Sequence, residues 1–428
     1  MEERFLYHIW DEGHLQGDLY TVGGKPLRII YQGQFNTGRG PDFKNAIIEI
    51  AGEQQRGDVE IHLRTADWQA HNHHEDVYYN RVILHVVWEH RAPYNQTISE
   101  DGSLIDILEI QNKLSEDISK LIQNHESPQR RSVYCDLLSA IDNDALTLIL
   151  HKAGLRRFKA KIARFNSALT MSSFDQLFYE GVFEALGYEK NKLNTLHLAQ
   201  SLPLARLKEF KAQGMHKDDL AAIYLCSSGM LAPQSGIIPE NLQKDLWKLY
   251  EAQPWYGRKI LIDWQFFRVR PQNHPIKRIM YISDLIWECL DDGLLKNFID
   301  NCDAHLDDPK THFKAYQSLW RENTGFDGFV LTLGKSVQSN IYLNILLPVL
   351  ALWQQKMAGD TQRVTALYQS FPGLPANYIT RFMSRYMKPE QIKLVESKAI
   401  YQQGLLDIYH RFCCWHYCAE CIQRSRQD

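Results

Sequence analysis

The chain has 428 residues, 44% of them hydrophobic and 23% charged, with a net charge of −3. These proportions exclude a mainly disordered chain, and 24 glycines with 15 prolines exclude a collagenous or low-complexity one. A chain of this length is expected to form about two to four domains, and its near-neutral balance leaves nucleic-acid contact to local basic patches.

The chain opens Met-Glu-Glu-Arg, without the apolar stretch of a signal peptide. No segment holds the roughly 18 uninterrupted apolar residues of a membrane span. The most apolar run, Ile345 to Trp353, is short and carries Pro348. The expectation is a cytoplasmic protein with no membrane partner.

Phe5, Leu6, Ile9 and Trp10 have the spacing of an amphipathic first helix. Lys25–Tyr31, Asn45–Ile50, Asp58–Leu63 and Val82–Trp88 are β-branched runs bounded by turn residues and read as strands, and Leu104–Ile110 as one more. Gly52–Gly57 reads as the polar link of a hairpin, and the acid- and histidine-rich Ala66–Asn80 as a helix or structured loop. Helical spacing follows in Asn143–Phe165, in Phe174–Leu186 closed by Gly187, and in Asp219–Cys226, Leu242–Glu251, Ile276–Leu290 and Asn340–Lys356. The fold class expected is α+β: an N-terminal mixed sheet with flanking helices over residues 1–120, then a mostly α-helical region over 121–428.

Gly40-Pro41-Asp42 precedes the second strand, and Asp58-Val59-Glu60-Ile61-His62 forms the third. Side chains alternate across a strand. Val59, Ile61 and Leu63 therefore share an apolar face, while Asp58, Glu60, His62 and Arg64 share the other. Two carboxylates, Asp42 and Glu60, converging beside a turn suit Mg²⁺ or Mn²⁺, and a neighbouring base can orient water for phosphodiester hydrolysis. The same alternation fits a strand whose polar face simply meets water.

The Pro-Asp, the acid-x-base strand and the order helix, three strands, helix, strand together resemble the PD-(D/E)xK nuclease superfamily. That resemblance implies a restriction-endonuclease-like domain with Asp42 as the first aspartate and Glu60 as the second acid. His62 stands where the family has lysine. Histidine near its unperturbed pKa lacks lysine's fixed charge, so His62 is expected to ligate the metal or act as base, unless the site is inactive.

Asp67-Trp68 leads into His71, His73, His74, Glu75 and Asp76. On a helix His71 and His74 share a face, as do Asp67 and His71. These imidazoles, with Asp58, would assist the carboxylates. They also suit a zinc site of their own, or a solvated cap without ligand. His85, in an apolar strand, reads as a buried, hydrogen-bonded histidine.

The blocks GPDF, GDVEIH, DW-x-x-H-x-H and VILHVV, the segment Arg270–Pro275 with Arg278, the block Asn344–Pro348 and the terminal cysteines together resemble a bacterial family catalogued as domain of unknown function 2851. The resemblance runs nearly end to end and implies no particular activity.

Cys413, Cys418 and Cys421 form C-x4-C-x2-C, which with Cys135, Cys414, His410 or His416 as fourth ligand suits an iron–sulfur cluster or zinc. Cys414, Cys418 and Cys421 also have helical spacing, as packed thiols do. Arg156 and Arg157, in the basic run from Lys152 to Arg164, and Arg270 and Arg278, beside a proline turn, are candidate phosphate-binding residues. Solvated or capping roles fit them equally.

The leading expectation is a divalent-metal-dependent nuclease or phosphodiesterase acting on nucleic acid. The alternatives are a catalytically inactive nucleic-acid-binding or assembly module of the same fold, and a zinc hydrolase built on His71, His73 and His74.

Overall fold

The computed structural model describes residues 3–114, 135–231, 237–267, 269, 274–320, 331–415 and 421. The chain forms two compact units, one of residues 1–149, 382–388 and 405–428, the other of 150–381 and 389–404. The fold is α+β, with an N-terminal mixed sheet followed by a mostly helical chain.

The first unit opens with α1 (Glu3–Asp11), whose Phe5, Leu6, Ile9 and Trp10 are buried. Eight strands form one sheet: β1 (Leu19–Tyr20), β2 (Pro26–Tyr31), β3 (Gln34–Phe35), β4 (Phe43–Ile50), β5 (Glu53–Arg64), β6 (Val82–Glu89), β7 (Gln96–Ile98) and β8 (Leu104–Glu109). The spatial order is β1-β2-β4-β5-β6-β8-β7, with β3 paired to β4. β4 and β5 are antiparallel, whereas β5–β6 and β6–β8 are parallel. The switch of direction beside β5 is made by the crossover between β5 and β6.

The β4–β5 hairpin is tighter than its sequence suggests. Its turn is Ala51-Gly52, both at positive φ, as a two-residue hairpin turn of matching twist requires. The polar run Glu53-Gln54-Gln55-Arg56 is therefore strand rather than link, and reads as polar because this arm of β5 is only partly covered. From Gly57 to His62 β5 is fully buried. The alternation places apolar Val59 and Ile61 on one face, yet Asp58, Glu60 and His62 on the other are also buried, at 4%, 5% and 1% exposure. That polar face does not meet water.

The crossover is not one helix. α2 (Asp67–Ala70) makes a single turn, and two short 3₁₀ turns follow at His73–Glu75 and Val77–Tyr79. Asn72, at φ 60°, breaks the helical path, because a left-handed residue cannot continue a right-handed helix. The expected helical pairing of His71 with His74 is lost, and His71 and His73 converge instead. Trp68 anchors the crossover, packing with Val82, Ile105 and Tyr79 and donating its indole N–H to Ile98 O at 3.0 Å.

C-terminal residues complete this unit. Arg411 Nε donates to Glu12 Oε2 at 2.9 Å, and Arg4 Nη2 to Cys414 O at 2.9 Å.

In chain order α3 (Asp136–Ala140), α4 (Asn143–Leu169), α5 (Phe174–Leu186) and α6 (Tyr188–Ser201) come next. Further helices include Lys217–Ser227, Glu240–Glu251 and Pro275–Cys289. One helical run, Lys335–Met357, is long and apolar enough by composition to cross a membrane, but 72% of its most apolar window is buried within the fold, as in a core helix. It widens to a π turn at Tyr342–Leu346. Pro348 accounts for this: it has no N–H to give to the carbonyl of Asn344, and its ring crowds that carbonyl.

Candidate metal centre

The centre is assembled from α1, the loop before β4, β5, the crossover and β6. The loop is set by its own hydrogen bonds. Gly40 turns at φ 94°, a conformation that costs glycine little. Asn36 Nδ2 donates to Pro41 O at 2.9 Å and to Gly38 O at 3.2 Å. This delivers Asp42 to the start of β4, where it exchanges two bonds with β5. Asp42 N donates to Glu60 Oε2 at 3.0 Å, and Ile61 N donates to Asp42 Oδ2 at 3.0 Å. The two carboxyl groups predicted to meet are thus held on adjacent strands.

Burial and mutual repulsion act on both. Burial first, then the charge of Glu60, pushes Asp42 up to about 8, although Ile61 N–H and the Tyr7 hydroxyl oppose the rise. Burial likewise pushes Glu60 up to about 8. Two acids this close in a dry site cannot both ionise at neutral pH without a cation.

Three imidazoles adjoin them. His73 Nε2 lies 3.1 Å from Glu60 Oε1, and His62 Nε2 lies 3.5 Å from the same oxygen. His62 Nε2 is 3.1 Å from His71 Nδ1, and His62 Nδ1 is 2.9 Å from His85 Nε2. The His62 and His73 rings stack at 5.2 Å, and His73 stacks on Tyr79 at 3.8 Å. Burial holds His62 down to about 2, His85 to about 3 and His73 to about 4. These three rings are neutral at physiological pH, which is the ligand form of imidazole.

Three of these imidazoles lie closely enough together to hold a metal. One ligand nitrogen each from His62, His71 and His73 falls within a common 4.8 Å. Bonds of about 2.0–2.1 Å in a tetrahedron separate neighbouring ligand atoms by about 3.3 Å. His62 Nε2 and His71 Nδ1 are 3.1 Å apart, and Glu60 Oε1 stands beside the trio, 3.5 Å from His62 Nε2 and 3.1 Å from His73 Nε2. His73 Nε2 is also buried and makes no hydrogen bond among the described residues, although Glu60 Oε1 is 3.1 Å away. A buried polar atom so left calls for a ligand.

The other predicted residues sit elsewhere. Asp58 is spent on a β-bulge: its Oδ1 accepts Asn45 N–H at 3.0 Å, and Arg81 Nε is 3.8 Å from its Oδ2. Asn45 is the bulged residue, at φ 62°. His74 is partly exposed and stands 3.5 Å from Glu75. In the trio His71, His73 and His74, His62 takes the place of His74. Arg278 is buried, donates to Leu186 O at 2.7 Å at the end of α5 and lies 4.2 Å from the Tyr188 ring. Arg157 donates to Gln403, while Arg156 is half-buried. Arg270 and Cys418 lie outside the described residues. Cys135, Cys413 and Cys421 are half-buried, and the Cys414 thiol donates to His410 O at 2.8 Å. Among the described residues the imidazole trio is the group gathered closely enough for a metal.

Two participants carried only a faint sequence signal. Glu3 and Tyr7 lie one turn apart on α1, and the Tyr7 hydroxyl donates to the Asp42 carboxylate. Burial, opposed by His71 and the Tyr7 hydroxyl, raises Glu3. Their spacing beside the apolar stripe was visible; their meeting with Asp42 depends on how α1 packs on β5.

A basic rim borders the acids. Lys44 Nζ donates to Arg39 O at 3.2 Å, Arg39 Nη2 reaches Asp76 at 3.1 Å, and Lys44, Arg56 and Arg81 all act on Asp58.

No curated protein and no solved structure matches the chain. Residues 3–374 of the 428 match the family described as protein of unknown function (DUF2851), and the chain belongs to that family.

Proposed function

We propose that this protein is a metal-dependent hydrolase of phosphodiesters, with nucleic acid as its substrate class. The observation that carries the reading is the convergence of His62, His71 and His73, with the Glu60 carboxylate against His62 and His73. Three imidazoles and one carboxylate suit zinc or manganese better than magnesium, which prefers oxygen ligands. Such an ion would supply Lewis acidity and an activated water. Imidazole in place of the family lysine at position 62 is consistent with this donor set, and the Asp42–Glu60 pairing is consistent with a PD-(D/E)xK-like domain.

The protein's own groups would then divide the work. His62, His71, His73 and Glu60 would hold the ion. His85 would fix the orientation of His62 through their hydrogen bond. Asp42, able to keep or release a proton near neutrality, would exchange protons with substrate, and Tyr7 would orient it. Arg39, Lys44 and Arg81 supply positive charge suited to a phosphate backbone.

Metal-stripped protein should take up a single zinc or manganese ion and gain hydrolysis of bis-p-nitrophenyl phosphate and of DNA or RNA. His71→Ala should lose the ion, and Asp42→Asn should keep it while losing about 100-fold or more in rate. An ion bound without turnover of any phosphodiester would reject hydrolysis and leave a nucleic-acid-binding module. Failure to bind either ion would reject the centre itself.

A further inference from the structure

Between the helices Glu240–Glu251 and Pro275–Cys289 an apolar sequence stays out of the core. Residues 255–267 include five aromatic side chains, Trp255, Tyr256, Trp264, Phe266 and Phe267, and the run Ile260-Leu261-Ile262. None of residues 251–267 is buried. Tyr256 is 55% exposed, Leu261 48% and Phe267 73%. Folding ordinarily draws such side chains inward, and a group of them left at the surface marks an interaction site.

Residues 258–266 form neither helix nor strand, yet polar bonds fix their backbone. The Tyr250 hydroxyl donates to Arg258 O at 2.8 Å, and Ile260 N donates to Ser227 O at 2.8 Å. Three side chains of α6 hold the rest. Asn194 Nδ2 donates to Asp263 O at 2.7 Å. Asn191 Nδ2 donates to Gln265 O at 3.0 Å, and its Oδ1 accepts Gln265 N–H at 2.9 Å. Lys190 Nζ donates to Phe267 O at 2.7 Å. A strap tied in this way holds its rings in place without burying them.

The rings are ordered too. The Trp264 indole N–H donates to Ser228 O at 2.8 Å. Trp264 and Phe266 lie parallel within 7°, their centroids 6.1 Å apart, and Phe266 stands 4.6 Å from the ring of buried His274. The charge among them is positive. Arg258 and Lys259 are exposed. Arg258 lies 4.6 Å from the Trp255 ring, and Lys190 Nζ lies 6.0 Å from the Phe267 ring. The one acid of the strap, Asp263, accepts the Gln265 side-chain amide at 2.8 Å.

We infer that residues 255–267 are a stacking platform for single-stranded nucleic acid. An unpaired base offers a flat face to an aromatic ring, and each base brings a phosphate for a neighbouring cation. Exposed rings interspersed with Arg258, Lys259 and Lys190 answer both needs. A duplex keeps its base faces inside its own stack and offers the rings nothing. An apolar protein face would match the rings and leave the cations unanswered. A lipid surface is gripped by an amphipathic helix, which this strap is not. The inference rests on the hydrolase reading for its class of ligand and gives that ligand a form, but binding here needs neither metal nor turnover.

The test is fluorescence anisotropy of the full-length, metal-stripped protein with a labelled oligothymidylate and with its duplex, beside co-sedimentation with vesicles of phosphatidylserine and phosphatidylcholine. Wild type should bind the single strand more tightly than the duplex, and less tightly as salt rises. Phe267→Leu keeps apolar bulk but loses the ring, and should weaken binding about 5- to 100-fold. Phe267→Trp should bind like wild type, and Tyr256→Leu should weaken binding as the second ring variant. Met357→Ala, at a position 63% exposed on the helix Leu347–Met357, should change nothing. Single-strand binding by a protein that hydrolyses no phosphodiester when loaded with metal rejects the hydrolase reading and keeps the platform. Hydrolysis of bis-p-nitrophenyl phosphate without single-strand binding rejects the platform alone. Equal affinity for strand and duplex, binding that neither leucine variant weakens, or binding to vesicles in place of the oligonucleotide overturns the inference.

Discussion

His62 Nδ1 faces His85 Nε2 at 2.9 Å across the parallel strands β5 and β6. If His62 presents a lone pair at Nε2, its Nδ1 must carry the proton and donate to His85. A second imidazole thereby fixes the tautomer of the first, as outer partners of metal-bound histidines do. His85 Nδ1 remains buried without a partner among the described residues, a cost that packing alone does not explain. His85→Leu, similar in bulk, should leave the fold stable and weaken zinc or manganese binding about 10- to 100-fold. Calorimetry on the metal-free variant checks this; undiminished affinity would show that His85 does not orient the site.

Metal-free protein should lose stability as pH rises from about 6.5 to about 8. Asp42 and Glu60 keep their protons up to about 8, well above the ordinary carboxyl values of 3.8 and 4.5. Between those limits the folded state binds more protons than the unfolded chain, so unfolding becomes easier as pH rises. His62, His73 and His85 act in the opposite direction, being depressed to about 2, 4 and 3 from 6.5. Their contribution grows with pH until the unfolded imidazoles, half-protonated at 6.5, lose their protons near about pH 7.5, so it offsets part of the fall below that and the acids act alone above it. Denaturant melts at pH 6.5 and 8 should show the fall, and Glu60→Gln should reduce it. Zinc or manganese should also reduce it, because the cation replaces the protons. An identical fall in wild type and variant would exclude Glu60 as its source.

Much of this organisation was legible in the chain. Strand runs such as Asn45–Ile50 and Val82–Trp88 declare themselves because a buried strand needs continuous β-branched residues. The pairing of Asp42 with Glu60 followed from Pro-Asp before one strand and alternation along the next. The choice of histidines did not. Helical spacing favoured His71 with His74, and only the left-handed Asn72 brings His71 and His73 together. A local reading also could not separate Asp58 from Glu60, since both lie on the polar side of β5. The bulge at Asn45, which claims Asp58, is set by pairing with β4. Nor could it tell which basic residues of α4 turn inward, because their partners Gln403 and Asn344 lie far along the chain.

Asp58 gives a clean separation of structure from site. Its carboxylate satisfies the Asn45 N–H at the bulge, and the bond is buried. Asp58→Ala leaves that donor unpaired and should cost about 1–3 kcal/mol in stability. The affinity for zinc or manganese should stay within about twofold, as expected for a residue outside the ligand set. Denaturation and metal titration of the same variant read both quantities. A large loss of affinity in folded protein would place Asp58 in the centre after all.

The close approach of α5 to the π turn makes its own prediction. A Cβ at Gly181 would stand 2.5 Å from Ile345 Cγ2, and the Phe165 ring closes the other side at 3.5 Å. Ile345 is itself buried, so the alanine methyl can be admitted only by moving a packed side chain or parting the two helices. Overpacking of this kind costs about 1–3 kcal/mol. The glycine-to-alanine change gains up to about 1 kcal/mol in helix propensity, which does not offset the upper part of that range. Gly181→Ala should therefore be destabilised, whereas in an Ile345→Ala background, which lacks the clashing Cγ2, the same change should cost less. Thermal melts of the variants test the point. A single variant as stable as wild type would mean that the helices separate without cost.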